Sequence, residues 1–239
     1  MIEINHVTKR FGDKVAVQDL TTVIPDGTIT GFIGPNGAGK TTTINMLTGI
    51  LRPDEGEILL DGHNIVTDPI AAKKCFVLVP DSPDVFLRLT GREYVQFLGK
   101  IYEVPATEIE ERMNALAKEF EMEDALDEQM KSYSHGMRQK AIIIGALVCD
   151  PQIWFLDEPM TGLDPNASYL LKEKMREQAR KGKTIFFSTH VLEVAEKLCD
   201  KILLINQGKL RYAGTLEGLK EQYPDSSLEE IFIKVVRNE

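Results

Sequence analysis

Glycines at 34 and 39, followed at once by Lys40 and Thr41, set Gly34-Pro35-Asn36-Gly37-Ala38-Gly39-Lys40-Thr41 at the G-x-x-x-x-G-K-[ST] spacing of a phosphate-binding loop. The glycines let successive backbone N–H groups converge on an anion, and the helix that follows adds a favourable field for negative charge. Lys40 reaches the outer phosphates of a nucleotide as a point charge, the Thr41 hydroxyl ligates the Mg²⁺ that bridges them, and Thr42 joins the same nucleotide-binding set. A chance match to the pattern in a chain of this length is expected on the order of one time in a hundred.

A second group stands downstream. Asp157-Glu158-Pro159 closes the apolar run Ile153-Trp154-Phe155-Leu156. Two carboxylates at the end of a buried strand suit a nucleotidase: the first holds Mg²⁺ directly or through water, and the second orients the water that attacks the γ-phosphate. An acidic turn after a core strand would look the same in isolation, and the upstream loop is what favours chemistry. His190, at the end of Thr184 to Ser188, and Ser134-His135-Gly136-Met137, a capped helix start, each have a plain structural reading when taken alone.

The elements that must hold these groups follow an α/β pattern. Ile29 to Ile33 reads as a buried strand into the loop, and Thr41 to Leu47 as the helix out of it, ended by Gly49. Ile2 to Phe11 and Val15 to Ile24 read as strands, and Glu57 to Ile65 as a hairpin turning at Asp61-Gly62. Together they predict a partly antiparallel sheet beside the nucleotide. Cys75 to Val79 is a further strand, ended by Pro80. From 91 to 149 strand signals vanish, and Tyr94, Phe97, Leu98 and Ile101, then Ile109, Met113, Leu116 and Phe120, recur at helical spacing. Its last helix, Met137 to Val148, is apolar nearly all round and therefore buried. The α/β pattern resumes with strands at 153–156, 184–188 and 202–205, an exposed charged helix from Asn166 to Arg180, a helix from Val191 to Leu198 and a turn at Asn206-Gln207-Gly208. The tail beyond Thr215 reads as helical, with a weak boundary at Tyr223-Pro224-Asp225-Ser226. The expected fold is α/β: a P-loop NTPase core (1–80 and 150–222) carrying an antiparallel β subdomain, an inserted all-helical subdomain (82–149) and a tail (223–239), in one domain spanning 1–239.

Bulk properties bound the function. A net charge of −9 argues against a chain built to grip nucleic acid. No apolar run approaches the roughly 18 residues needed to cross a bilayer, and Met1-Ile2-Glu3-Ile4 is not the start of a signal peptide. Cys75, Cys149 and Cys199, odd in number and set in apolar surroundings, read as buried thiols of a reduced, cytosolic protein.

The order of these motifs, over essentially the whole chain, resembles the ATP-binding subunit of ABC transporters. Tyr133-Ser134-His135-Gly136-Met137 is similar to that family's signature, with His135 in place of the first glycine and Met137 in place of glutamine. Thr161-Gly162-Leu163-Asp164 resembles the loop that communicates between sites, and Phe11 takes the place of the aromatic that stacks on adenine. The resemblance implies ATP and Mg²⁺ as ligands, Glu158 as general base, His190 as γ-phosphate sensor and Lys40 as a catalytic cation. It also implies a second ATPase subunit, identical or different, in a head-to-tail dimer whose signature contacts the γ-phosphate in trans. Where the family usually has Gln, this chain has Asp81, which is shorter by one methylene and, when ionised, is an acceptor without a donor, yet can still ligate Mg²⁺.

A separate transmembrane permease is the implied partner, at the cytoplasmic face of the cell membrane. Its docking groove is expected between the core and the helical lobe, near Val85, Phe86, Leu87 and Tyr94. The segments Phe86 to Glu93 and Ser227 to Phe232 are similar to those of subunits that export drugs, lipids or peptides. A soluble ABC-type ATPase acting on ribosomes, nucleic acid or cofactor assembly fits less well, because such relatives carry paired cassettes or a long coiled coil. A binding module without turnover would lack Glu158 or His190, and both are present.

Overall fold

The computed structural model describes residues 1–223 and 228–237. β1 (Ile2–Phe11), β2 (Lys14–Ile24), β3 (Ile29–Ile33), α1 (Lys40–Leu47), β4 (Glu55–Leu60) and β5 (His63–Asn64) form the first part of the chain. α2 (Pro69–Lys74) and β6 (Phe76–Val79) lead to the helices α3 (Gly91–Ile101), α4 (Ala106–Glu119) and α5 (His135–Cys149). β7 (Ile153–Asp157), α6 (Pro165–Arg180), β8 (Thr184–Thr189), α7 (Leu192–Leu198), β9 (Lys201–Asn206), β10 (Lys209–Gly214), α8 (Leu216–Gln222) and α9 (Leu228–Arg237) complete it. Most of the boundary expected at 223–226 lies outside the described residues, as does Ser227.

Two sheets carry the strands. One has four antiparallel strands in the order β2-β1-β4-β5, and the other has six in the order β10-β9-β3-β8-β7-β6. In the larger sheet β3, β6, β7, β8 and β9 run parallel, and β10 returns antiparallel along the edge. β3, β7 and β8 are buried at every position, as strands covered on both faces must be.

Side chains alternate across a strand, and the two faces of this sheet serve different cores. Phe32, Ile153, Phe155 and Phe186 point into the core shared with α1 and the antiparallel sheet. Trp154, Leu156, Ile185 and Phe187 point into the core shared with α3, α4, α5 and α6. Phe186 lies centrally in the first, its ring 5.3 Å from that of Phe32 and 5.9 Å from that of Phe155.

Thr90 starts α3 with a reciprocal cap, its hydroxyl accepting from Glu93 N–H at 3.1 Å while the Glu93 carboxylate accepts from Thr90 N–H at 2.8 Å. α5 is buried at nearly every position after its first turn, as its all-round apolarity predicts. α6 differs from expectation. Charged residues dominate its sequence, yet Ala167, Leu171, Met175 and Ala179 line one face and are buried, so it is a covering helix of the sheet rather than a solvated one.

Candidate nucleotide site

The loop from Gly34 to Gly39 joins the end of β3 to the start of α1, so its backbone N–H groups gather at a helix N-terminus. Gly39 has φ +111, and a Cβ there would stand 2.8 Å from the Ala16 carbonyl oxygen; the tight curl therefore requires glycine at this place. Ala38 is buried beneath the loop. The Lys40 ammonium donates to Gly34 O at 2.7 Å and Pro35 O at 3.4 Å, and lies 3.8 Å from Glu158 Oε1.

β7 and β8 are parallel neighbours, which brings Asp157 beside Ser188 and Glu158 close to His190. The Ser188 hydroxyl donates to Asp157 Oδ1 and accepts from Glu158 N–H at 3.0 Å. Glu158 itself stands at φ +48, a left-handed conformation uncommon outside glycine, and the turn after β7 holds it there. Glu158 Oε2 lies 3.0 Å from His190 Nδ1. The Glu158 side chain is only 14% exposed, against 59% for His190, so the imidazole forms the solvent-side flank of the carboxylate.

Around these groups opens a cleft of about 560 Å³. Of the residues expected from the sequence, Phe11, Asn36, Gly37, Gly39, Lys40, Thr41, Thr42, Asp81 and Glu158 line it. Gly34 and Pro35 contribute carbonyls to Lys40, Asp157 is buried below, and His190 flanks Glu158. Phe11 is half exposed at one end, with the Lys9 ammonium 5.7 Å from its ring centroid. The oxygen donors Thr41, Asp81 and Asp157 form a hard-ligand set suited to Mg²⁺ bound together with phosphate. Among the described residues, no group of three or more His, Cys, Asp or Glu is placed to hold a metal ion.

Ser134, His135, Gly136, Met137, Gly162, Leu163 and Asp164 are not in this cleft. They meet one another instead. Ser134 caps α5, accepting from Met137 N–H at 3.2 Å, and Asp164 caps α6, accepting from Ala167 N–H at 2.8 Å. Gly136 and Gly162 pack so closely that a Cβ on Gly136 would stand 2.6 Å from Gly162 O. Lys140 Nζ pairs with Asp164 Oδ2 at 2.7 Å, and that ammonium, with the Ala167 N–H, holds the Asp164 carboxyl below its usual range. The start of α5 and the loop Gly162-Leu163-Asp164 are thus one joined surface.

Sequence reasoning missed Ser188, and missed Lys14, Val15, Ala16, Gln207 and Gly208 on the cleft wall. Only the Gln207-Gly208 turn carried a local signal, and that signal named a turn, not a site.

Between the core and the helical lobe lies an apolar groove of about 490 Å³ lined by Ile50, Ile70, Phe76, Leu78, Leu98 and Ile101 among others. Val85 packs against the main core, and Tyr94, expected at such a groove, is only 4% exposed and packs the lobe interior. Phe86 is exposed and rests against Phe97, their rings 5.5 Å apart, on a separate apolar patch that includes Leu87. No described helix is long and apolar enough to cross a membrane.

The family model described as ABC transporter matches residues 17–161. The chain is 38% identical to the ABC transporter ATP-binding protein NatA of Bacillus subtilis, over 99% of each chain. It is 36% identical to the Nod factor export ATP-binding protein I of Burkholderia lata, over 97% of this chain and 76% of the relative. A solved ATP-binding subunit of an ABC transporter superposes with a TM-score of 0.94 at 32% identity, covering 98% of this chain and 99% of the other.

Proposed function

We propose that this chain, which belongs to the ABC transporter family of ATP-binding proteins and is an ATPase, binds and hydrolyses ATP in the cleft above α1 to drive an exporter. One observation carries the site: Lys40, Glu158 and His190 converge from three separate segments, with Glu158 3.8 Å from the ammonium and 3.0 Å from the imidazole.

Phe11 stacks on the adenine, and the Gly34–Thr42 backbone cradles the phosphates. Lys40 exchanges the carbonyls of Gly34 and Pro35 for phosphate oxygens. Glu158 accepts the proton of the attacking water, while His190 fixes the carboxylate's orientation and reads the γ-phosphate. Thr41, Asp157 and Asp81 hold Mg²⁺, which supplies charge neutralisation of the phosphates when bound.

A second ATPase subunit, identical or different, completes each site by presenting Ser134, His135, Gly136 and Met137 at the N-terminus of α5 to the γ-phosphate. Gly162, Leu163 and Asp164, packed against that helix start, carry the state of one site to the other. The permease is a separate membrane protein, which places this chain at the cytoplasmic face, and one of its cytoplasmic helices docks in the groove of Ile50, Ile70 and Leu98. Export of a drug, lipid or peptide is supported by relatives named for Nod factor export and daunorubicin resistance.

The test is gentle solubilisation of native membranes followed by co-purification of tagged chain, alongside Glu158→Gln. A stoichiometric polytopic protein, together with a variant that binds ATP and turns over at least 100-fold more slowly, is the expected result. Ribosomes or assembly proteins in its place refute the transporter role, and wild-type turnover in the variant removes Glu158 from the chemistry.

A further inference from the structure

β9 and β10 are joined by Gln207 and Gly208, at φ +49 and +74. Two consecutive positive φ values mark the type I′ hairpin turn, whose first central position favours Asn, Asp or Gly. Gln is a poor local choice there, since its longer side chain gains nothing from the left-handed conformation. A residue held against local preference invites a functional explanation.

The turn is anchored to the nucleotide site. Gly208 N–H donates to Ala38 O, within the phosphate loop, at 2.9 Å, and Gln18 N–H donates to Gly208 O at 2.8 Å. A Cβ at 208 would stand 2.6 Å from Ala16 O, so the turn is pressed against β2. These ties fix Gln207 on the cleft wall beside Val15 and Ala16, the stretch of β2 that follows Phe11 around the hairpin. The Gln207 side chain is exposed, and its carboxamide has no hydrogen-bond partner among the described residues.

We propose that Gln207 is a recognition residue for the nucleoside part of ATP, its carboxamide donating to or accepting from the sugar hydroxyls and base heteroatoms. The inference rests on ATP occupying this cleft. Asn at this position would suit the turn better but would fall one methylene short of the ligand, which explains Gln where Asn is the local optimum.

The experiment is calorimetric titration of wild type, Gln207→Asn and Lys40→Ala with Mg-ATP and with Mg-tripolyphosphate, which has the phosphates but no nucleoside. Gln207→Asn is expected to melt at the wild-type temperature or above it, to bind ATP about 3- to 10-fold more weakly, and to bind tripolyphosphate unchanged, as loss of one hydrogen bond implies. Affinity then falls with no loss of stability, whereas a merely structural role for Gln207 would lower both together. Unchanged ATP affinity overturns the inference, and so does an equal loss for both ligands, since that would place the contact on phosphate. Lys40→Ala should weaken both ligands. If it weakens neither, the cleft itself is misassigned, and the inference falls with it.

Discussion

Ser188→Ala tests the link between the fold and the carboxylate proposed as general base, Glu158. Ser188 is fully buried, and its hydroxyl serves two groups at once, donating to Asp157 Oδ1 and accepting from Glu158 N–H. The bond to the carboxylate is charge-assisted and worth about 1.5–3 kcal/mol, and the neutral one about 0.5–1.5 kcal/mol. Removing the hydroxyl is therefore expected to cost about 2–4 kcal/mol. In a domain of this size each kcal/mol moves the midpoint by about 2–4 °C, so Tm should fall by roughly 5–15 °C. The same bond helps hold Glu158 at φ +48, a conformation that itself costs on the order of 1–3 kcal/mol. Turnover should accordingly fall further than ATP affinity, because the phosphate loop does not depend on Ser188. Urea unfolding, ATP titration and steady-state phosphate release measure the three quantities. A stability loss below about 1 kcal/mol, or affinity and turnover falling in parallel, would refute the reasoning.

Gly162→Ala should destabilise the chain by about 1–3 kcal/mol, because φ is +78 and the new Cβ would crowd the His135 ring, whose Nε2 would be 2.9 Å away. A double-mutant cycle with His135→Ala, read by urea unfolding, should recover part of that loss, and strict additivity would show that the two residues do not meet. Burial pushes the Cys149 thiol from its ordinary 9.0 up to about 12. The native state keeps this proton more tightly than the unfolded chain, so the associated stability is intact below pH 9.0 and erodes as pH rises toward 12. Urea midpoints measured from about pH 8 to 11 should fall for wild type and fall less for Cys149→Ala, and indistinguishable slopes would contradict the assignment.

The site was legible where its chemistry is contiguous. Gly34 to Thr42 lie in a row, the strand before them is apolar throughout, and the helix after them begins within the motif, so local pattern suffices. Asp157-Glu158 was legible because a buried strand delivers both residues to one end. The elements that escaped, α2 and β10, are each six residues long, one opening at Pro69 and the other running along the sheet edge. Neither is long enough for periodicity to stand out. The covering face of α6 escaped for a different reason. Its buried positions are filled largely by Ala, Leu and Met between charged neighbours, and only the sheet beneath gives that stripe something to cover.

The sequence by itself determined that a glycine loop would join β3 to α1 and which carboxylates would stand at the end of the buried strand β7. Those outcomes depend on glycine, lysine and apolar runs acting over a few neighbouring residues. Tertiary structure alone decided that Ser188 would bridge Asp157 and Glu158, that Lys40 would stand 3.8 Å from Glu158, and that Gln207 would join the cleft wall. It also decided that the start of α5 would lie against Gly162, away from the chain's own cleft. Each of these is a meeting of segments remote in sequence. Such meetings are fixed by strand order and by which face of the sheet each core occupies, and neither leaves a mark at the residues that meet.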